Sequence, residues 1–255
     1  HLFDIKQAHP QVQHIFYNWD EPHLWDNGPM RLAQKVPFFN KVVASCAESL
    51  IRYQKYGTPR TMCLNPGVDT AVFSHDVVPE TWTYDVTLCC TNLYQNAEIY
   101  PFQRVNRFSM LKFLLAKRPH LKVALFGPSA LGQLFPSIYK GFCKYQDLPR
   151  LFNQSQVNLC THVNTSQAGY LNERVGQILC STGLLFVDSI EGNDKQLQDG
   201  VNCVCIDANR YLEQIDDILA NPAGFNRIRR AGRASVDQFS WQTWVRRMSA
   251  FIKSQ

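Results

Sequence analysis

Short β-rich runs alternate with helical patterns along most of the chain, and no other feature of the sequence constrains its fold as tightly. Residues 12–17, 41–44 and 61–64 read as strands. Between the last two, residues 47–56 carry a helical pattern that stops at Gly57, a residue type suited to a helix C-cap. Asn65, Pro66 and Gly67 then give a turn signal, and residues 65–80 lack periodicity, which marks a boundary between two units. The alternation restarts beyond it, with strands predicted at 85–91, 121–126, 157–162, 183–187 and 202–206. A helix is predicted over 102–117, where Phe102, Val105, Phe108, Leu111 and Leu115 recur at spacings of three and four. Asp147 reads as the N-cap of a short helix reaching 152, and further helices are predicted at 170–179, 209–220, 222–237 and 240–254. Alternation at these lengths specifies an α/β fold with parallel sheets covered on both faces.

Several function classes are disfavoured by the same residues. A nicotinamide dehydrogenase needs Gly-x-Gly-x-x-Gly directly after a strand. The nearest run, Gly127-Pro-Ser-Ala-Leu-Gly132, lacks the central glycine, and it lacks the Gly-Lys-Ser/Thr ending of a P-loop. With 255 residues, 45% of them apolar, the chain can bury one large or two modest cores without a disulfide or metal staple. Its net charge of +5 fits a site for anionic phosphates and would also fit nucleic acid. The arginine clusters Arg227, Arg229, Arg230 and Arg233, and Arg246 with Arg247, fall in the helical C-terminal region, where they read as solvated helix faces; nucleic acid is not the expected partner. None of the nine cysteines forms Cys-x-x-Cys, and Cys89-Cys90 and Cys203-Val-Cys205 sit in apolar runs. They read as small buried residues in a reducing compartment, with no metal site expected. No 18-residue apolar run and no signal-peptide pattern is present, so a cytoplasmic protein is expected. The chain opens on His1, which reads as a cleavage product or a fragment.

Several segments, taken in order, resemble glycosyltransferases of the two-Rossmann-domain type, the GT-B fold of the group 1 glycosyl transferases, and most nearly the branch that includes the spore-maturation CgeB-like proteins. Phe39-Asn-Lys-Val-Val-Ala-Ser45, Tyr56-Gly57 and Leu64-Asn-Pro-Gly-Val-Asp-Thr70 with Phe73 resemble that family's passage from acceptor domain to linker, with Pro66 inserted. Tyr145-Gln-Asp-Leu-Pro-Arg-Leu-Phe152 resembles the helix before the donor-site strand. Gly169-Tyr-Leu-Asn-Glu-Arg-Val-Gly-Gln177 with Gly183-Leu-Leu-Phe-Val-Asp188 resembles the donor-site helix and its following strand. Asp199-Gly200 matches a usual turn, and Phe239-Ser-Trp241 resembles the opening of the last helix. The likeness implies a partial acceptor-side domain over 1–75, a nucleotide-sugar-binding domain over 76–238, and a last helix over 239–255 that packs back toward the first domain. It also implies an incomplete N-terminal sheet, with an apolar edge at 12–17 that a partner chain or a missing segment would cover.

The resemblance implies a metal-independent transfer of a hexose from a nucleotide-diphosphate sugar to a glycan or other hydroxyl acceptor. The donor is a substrate, and no cofactor is expected. A diphosphate leaving group suits a helix N-terminus flanked by cations. The expected donor site is therefore the segment opening at Gly169 and Tyr170, with the amides around Asn172 and Glu173 and the guanidinium of Arg174 on the diphosphate. Arg107 is expected to reach the phosphates, in preference to Arg104, and Gly127 to allow close approach of the nucleotide at the end of its strand. The resemblance implies two glutamates along this segment, as in many of the family; here Gly169 and Gln177 stand in their places. The Gln177 amide is the candidate for the ribose hydroxyls, and Glu173 the candidate to replace the first acid. Asp20 or Glu21, after a strand, and His162, at a strand end, are candidate bases. The lost acids also fit a catalytically silent nucleotide- or carbohydrate-binding protein, and the short N-terminal half fits a subunit docked on a partner.

Overall fold

The computed structural model describes residues 2–19, 34–58, 60–95 and 105–254. The two runs of strands build two separate parallel sheets. The first holds β1 (Ile15–Asn18), β2 (Lys41–Ala44) and β3 (Thr61–Cys63) in chain order, with Ile15 opposite Lys41 and Ala44 opposite Cys63. Helix α1 (Leu2–Ala8) precedes it, and α2 (Ala47–Lys55) links β2 to β3. Its core is small: Val36, Val42, Ala44 and Tyr53 are buried together. Among the described strands β1 is outermost, pairing only with β2, and its residues are half-buried.

The second sheet contains β4 (Tyr84–Cys89), β5 (Val123–Phe126), β6 (Tyr139–Gly141), β7 (Ser155–Cys160), β8 (Leu185–Val187) and β9 (Val204–Cys205), all parallel. Their spatial order is β6-β5-β4-β7-β8-β9. The chain thus builds outward from β4 in one direction, returns to β7 beside it, and builds outward in the other. Connections leaving β4 and β7 diverge to opposite faces, and a crevice opens at the carboxyl ends of these two strands.

Both faces of this sheet are packed. Val86, Leu88, Val123, Leu125, Val157 and Leu159 point to one side, where α3 (Arg107–Lys117) brings Leu111 and Leu114 and α7 (Tyr211–Ala220) brings Leu212 and Ile215. Cys160, Leu185 and Val187 belong to the other side, against Leu151 and Phe152 of α5 (Leu148–Asn153) and Val175, Ile178 and Leu179 of α6 (Glu173–Cys180). A short helix, α4 (Ser129–Leu134), joins β5 to β6, and α8 (Asn226–Ala234) precedes the last helix, α9 (Trp241–Lys253).

Two crossings join the units. Val68 donates its amide to Phe239 O at 2.7 Å and accepts from Trp241 N at 3.1 Å. A Cβ on Gly67 would stand 2.7 Å from the Trp241 ring, so only glycine fits this crossing. Helix α9 then lies on the first sheet. The buried Lys41 ammonium donates to the carbonyls of Phe251, Ile252 and Ser254 at 2.7, 2.6 and 2.7 Å, satisfying groups that a helix C-terminus leaves without partners. Trp244 Nε1 donates to the Tyr17 hydroxyl at 3.3 Å.

Several local expectations are corrected. The helix expected from 170 begins at Glu173, because residues 169–171 bond to other segments and do not enter the helical ladder. The helix expected over 222–237 is broken into a 3-10 turn (Pro222–Phe225), α8 and a second 3-10 turn (Val236–Phe239), since the Asn221 side chain caps the first turn at Gly224 N. Asp147 makes no side-chain cap; its backbone is already helical, at the end of a 3-10 turn over Tyr145–Asp147.

Candidate active site

A cleft of about 420 Å3 opens at the crevice between β4 and β7. Leu88, Cys89, Cys90 and Thr91 form one wall, and Leu159, Cys160, Thr161 and Val163 form another. Tyr170, Asn172, Glu173 and Arg174 close it with the first turn of α6. Trp19, directly after β1, and Pro66, in the crossing, face it from the other side. The cleft therefore lies between the two units, and the amino end of α6 opens into it.

Local sequence explains that helix end. Asn172 has extended backbone (φ −75°, ψ 156°), and its side chain accepts from Arg174 N at 3.0 Å. One amide is thus capped, whereas the Glu173 amide, first in the helix, has no intrahelical acceptor, and Glu173 lines the cleft. All residues from Val175 to Cys180 are buried, so α6 is anchored along its body and its first turn is held at the cleft.

Two guanidinium groups flank this turn. Arg174 donates to Gln177 Oε1 at 3.0 Å and lies 5.9 Å from the centre of the Phe152 ring. Arg107, at the start of α3, donates from Nε to Thr161 Oγ1 at 2.8 Å, from Nη1 to Asn92 O at 3.0 Å, and from Nη2 to Thr161 O. Its plane also stands over Tyr94 at 5.0 Å. Among the described residues neither arginine is ion-paired. Two fixed cations without an ion pair among the described residues, beside the uncapped first amide of α6, make the cleft receptive to an anion. The thiols in its wall are uncharged at neutral pH. Burial pushes Cys90 up to about 11 and Cys160 up to about 12, while Arg107 and Arg174 pull each down. Among the described residues no group of three or more His, Cys, Asp or Glu side chains is arranged to hold a metal ion.

Of the residues singled out in the sequence, Arg107, Tyr170, Asn172, Glu173 and Arg174 come together in this cleft. The others do not. His162 is 0% exposed; its Nδ1 sits 2.5 Å from Asp188 Oδ1, and its own amide donates to Oδ2 of that carboxylate at 2.9 Å. Thr161 and Val163 face the cleft, and in extended chain the side chain between them points the other way. Gly127 is absent from the cleft wall; it packs instead on the Cys90 carbonyl, which an added Cβ would approach to 2.1 Å. Gly169 lines a separate cleft of about 290 Å3 on the far side of Pro66, with Asn65, Asn193 and Trp244. Gln177 is 3% exposed and bears on the cleft only through Arg174. Asp20, Glu21 and Arg104 lie outside the described residues.

Sequence reasoning missed Trp19, Pro66, Tyr94 and Thr161 as cleft residues. For Trp19 and Thr161 a signal was available, since each directly follows a strand whose carboxyl end faces the crevice.

The comparisons with known proteins agree with this architecture. The sequence profile of the glycosyl transferase-like family matches residues 107–253, more than half of the 255-residue chain. The chain belongs to that family, and its fold is the GT-B fold. It superposes on Anabaena Alr3699/HepE, crystallised with UDP and glucose, with a TM-score of 0.72 and 13% identity over 98% of this chain and 74% of that one. Sucrose-phosphate synthase from Thermosynechococcus elongatus gives 0.71 and 13% over 99% and 70%. The pneumococcal O-GlcNAc transferase GtfA, in complex with UDP and GlcNAc, gives 0.61 and 12% over 98% and 55%. No curated protein matches the chain by sequence. Among the described residues no helix is long and apolar enough to cross a membrane.

Proposed function

We propose that this chain moves a hexose from a nucleoside-diphosphate sugar to a hydroxyl of a glycan or surface-structure acceptor, without a bound metal or other cofactor. The observation that carries the reading is the convergence of the open first turn of α6 with Arg174 and Arg107 at the seam between the two units. In such a transfer the anomeric C–O bond breaks and its electron pair leaves with the nucleoside diphosphate. The acceptor oxygen forms the new bond and gives up its proton. Charge grows on the departing phosphate oxygen, where fixed amides and guanidinium groups stabilise it in place of a metal ion. Glu173 is the one carboxylate in the described cleft wall, and we assign it to the reacting end, on a sugar hydroxyl or the acceptor proton. Asp20 is the second candidate base.

UDP is the first nucleotide to test, because HepE and GtfA were both crystallised with it. The two units are proposed to divide at residue 75, with 239–255 returning to the first. Further polypeptide, from this protein or a partner, is proposed to add to the β1 edge. The nine cysteines fit a reducing compartment, the cytoplasm, as the place of reaction.

A second reading follows from the resemblance, which implies acids where Gly169 and Gln177 stand; their replacement fits a protein that binds a nucleotide sugar without transferring it. Titration with UDP, GDP and dTDP, followed by release of UDP from UDP-glucose with EDTA present and no acceptor, separates these outcomes. Slow release that survives EDTA supports the transferase. Tight binding with no release supports the silent binder, and absence of binding by all three nucleotides sinks both.

A further inference from the structure

The segment that carries Tyr170 into the cleft is held in part from outside the nucleotide-side unit. Asn65, in the crossing after β3, grips it on both sides of that tyrosine. Its Nδ2 donates to Gly169 O at 2.9 Å, and its Oδ1 accepts from Leu171 N at 3.0 Å. A third bond comes from Asn193, whose Nδ2 donates to Tyr170 O at 2.9 Å. Upstream, Cys46 Sγ lies 2.9 Å from Gln167 Oε1, and Ala47 N donates to Ala168 O at 3.2 Å, both from the amino end of α2 in the first unit. The path from Gln167 to Leu171 is therefore set from both sides, by α2 and the crossing on one and by Asn193 and the Glu191 carbonyl, which accepts from Gly169 N at 2.8 Å, on the other, before the chain enters α6.

From this geometry we infer that Asn65 is a positioning residue for the anion cleft: by fixing the peptides on both sides of Tyr170, it couples ligand binding at the first turn of α6 to the crossing between the two units. The inference rests on the proposed nucleotide site. An amide side chain suits the task, since one planar group must donate to a carbonyl and accept from an amide two residues further on. Aspartate offers no donor, and alanine offers neither. Asn65 itself lines the neighbouring cleft and is not in the wall of the anion cleft, so it acts through the backbone it holds.

The test is calorimetric titration of the full chain with UDP, comparing the wild-type protein with Asn65→Ala and Asn193→Ala. Calorimetry reports stoichiometry and affinity separately. A merely structural role lowers the fraction of competent protein, so the stoichiometry falls while Kd stays put. A positioning role leaves the stoichiometry near one and weakens Kd. Asn65→Ala is expected to bind UDP about tenfold more weakly, as for two neutral hydrogen bonds lost from a preorganised site. Asn193→Ala, losing one bond, is expected to weaken it by about threefold and carries the same test should Asn65→Ala fail to fold. Wild-type Kd retained in both variants, or a loss of stoichiometry alone, overturns the inference while leaving the nucleotide site standing. Failure of the wild-type protein to bind UDP, GDP or dTDP overturns the functional reading itself.

Discussion

Arg174→Ala isolates the electrostatic core of the proposed site. The guanidinium stands one residue inside α6, half-buried, with one bond to Gln177 and a face on Phe152, and it has no carboxylate partner among the described residues. Its contribution to the native fold is thus one hydrogen bond to a neutral amide and some packing, about 1 kcal/mol. Its contribution to a bound diphosphate is larger, because a hydrogen bond to a charged group is worth about 1.5–3 kcal/mol. That range corresponds to roughly 10- to 150-fold in Kd. Titration with UDP is therefore expected to show at least a tenfold loss in Arg174→Ala, with little change in the unfolding midpoint. Arg174→Lys keeps the charge but not the planar fork, and its affinity should fall between the two. Raising the ionic strength should weaken wild-type binding more than that of Arg174→Ala, since the variant has one fewer cation to screen. Unchanged UDP affinity in Arg174→Ala would remove the arginine from the site, and equal salt dependence in both proteins would refute the electrostatic reading.

Three further outcomes test the frame around the cleft. Gly67→Ala places a methyl 2.7 Å from the Trp241 ring, and the forced shift at the crossing should cost about 1–3 kcal/mol in chemical denaturation; full retention of stability would show that the crossing can yield. Lys41→Met leaves three carbonyls at the end of α9 without their donor, so the thermal midpoint should fall, and an unchanged midpoint would deny the ammonium its role as the cap of that helix. The Cys90 and Cys160 thiols have pKa values pushed up from 9.0 to about 11 and about 12. The unfolded chain therefore loses these protons first, and stability should decline as pH rises from about 9 toward 12. In the native protein both thiols should also resist alkylation by iodoacetamide at pH 8; rapid labelling of either, read by mass spectrometry, would contradict their burial.

Much of the architecture was legible because it depends on pattern. The strand at 41–44 and the helix from 47 fall where apolar periodicity and Gly57 put them, and the strands at β4, β5, β7 and β8 lie within or close to their expected spans. What escaped was held by tertiary contacts. Helix α4 and strand β6 are short, and β6 exists because Leu125 N bonds to Ile138 O and Gly127 N to Gly141 O, pairings that local propensity does not encode. The start of α6 was misplaced by three residues for a related reason. Tyr170 and Leu171 look helical in isolation, but the carbonyls that would accept the first helical bonds are taken, Gly169 O by Asn65, more than a hundred positions away, and Tyr170 O by Asn193.

The candidate site divides along the same line. Position along the chain could be read, since a residue that follows a parallel strand stands at the crevice. Side-chain direction could not, because it is set by the phase in which each strand leaves the sheet. At the end of β7 that phase follows from register: Asn158 opposite Leu185 and Cys160 opposite Val187 put Cys160 against the α6 face, and the alternation then turns Thr161 to the cleft and His162 to Asp188. A shift of one residue would exchange them and bring an imidazole into the cleft. The register is held in turn by Asn158, whose buried side chain donates to Phe152 O at 2.9 Å and Leu184 O at 3.3 Å. The residue that selects threonine over histidine for the Arg107 contact is therefore three positions upstream, inside the core. Its effect on the chemistry is visible only once the sheet is assembled.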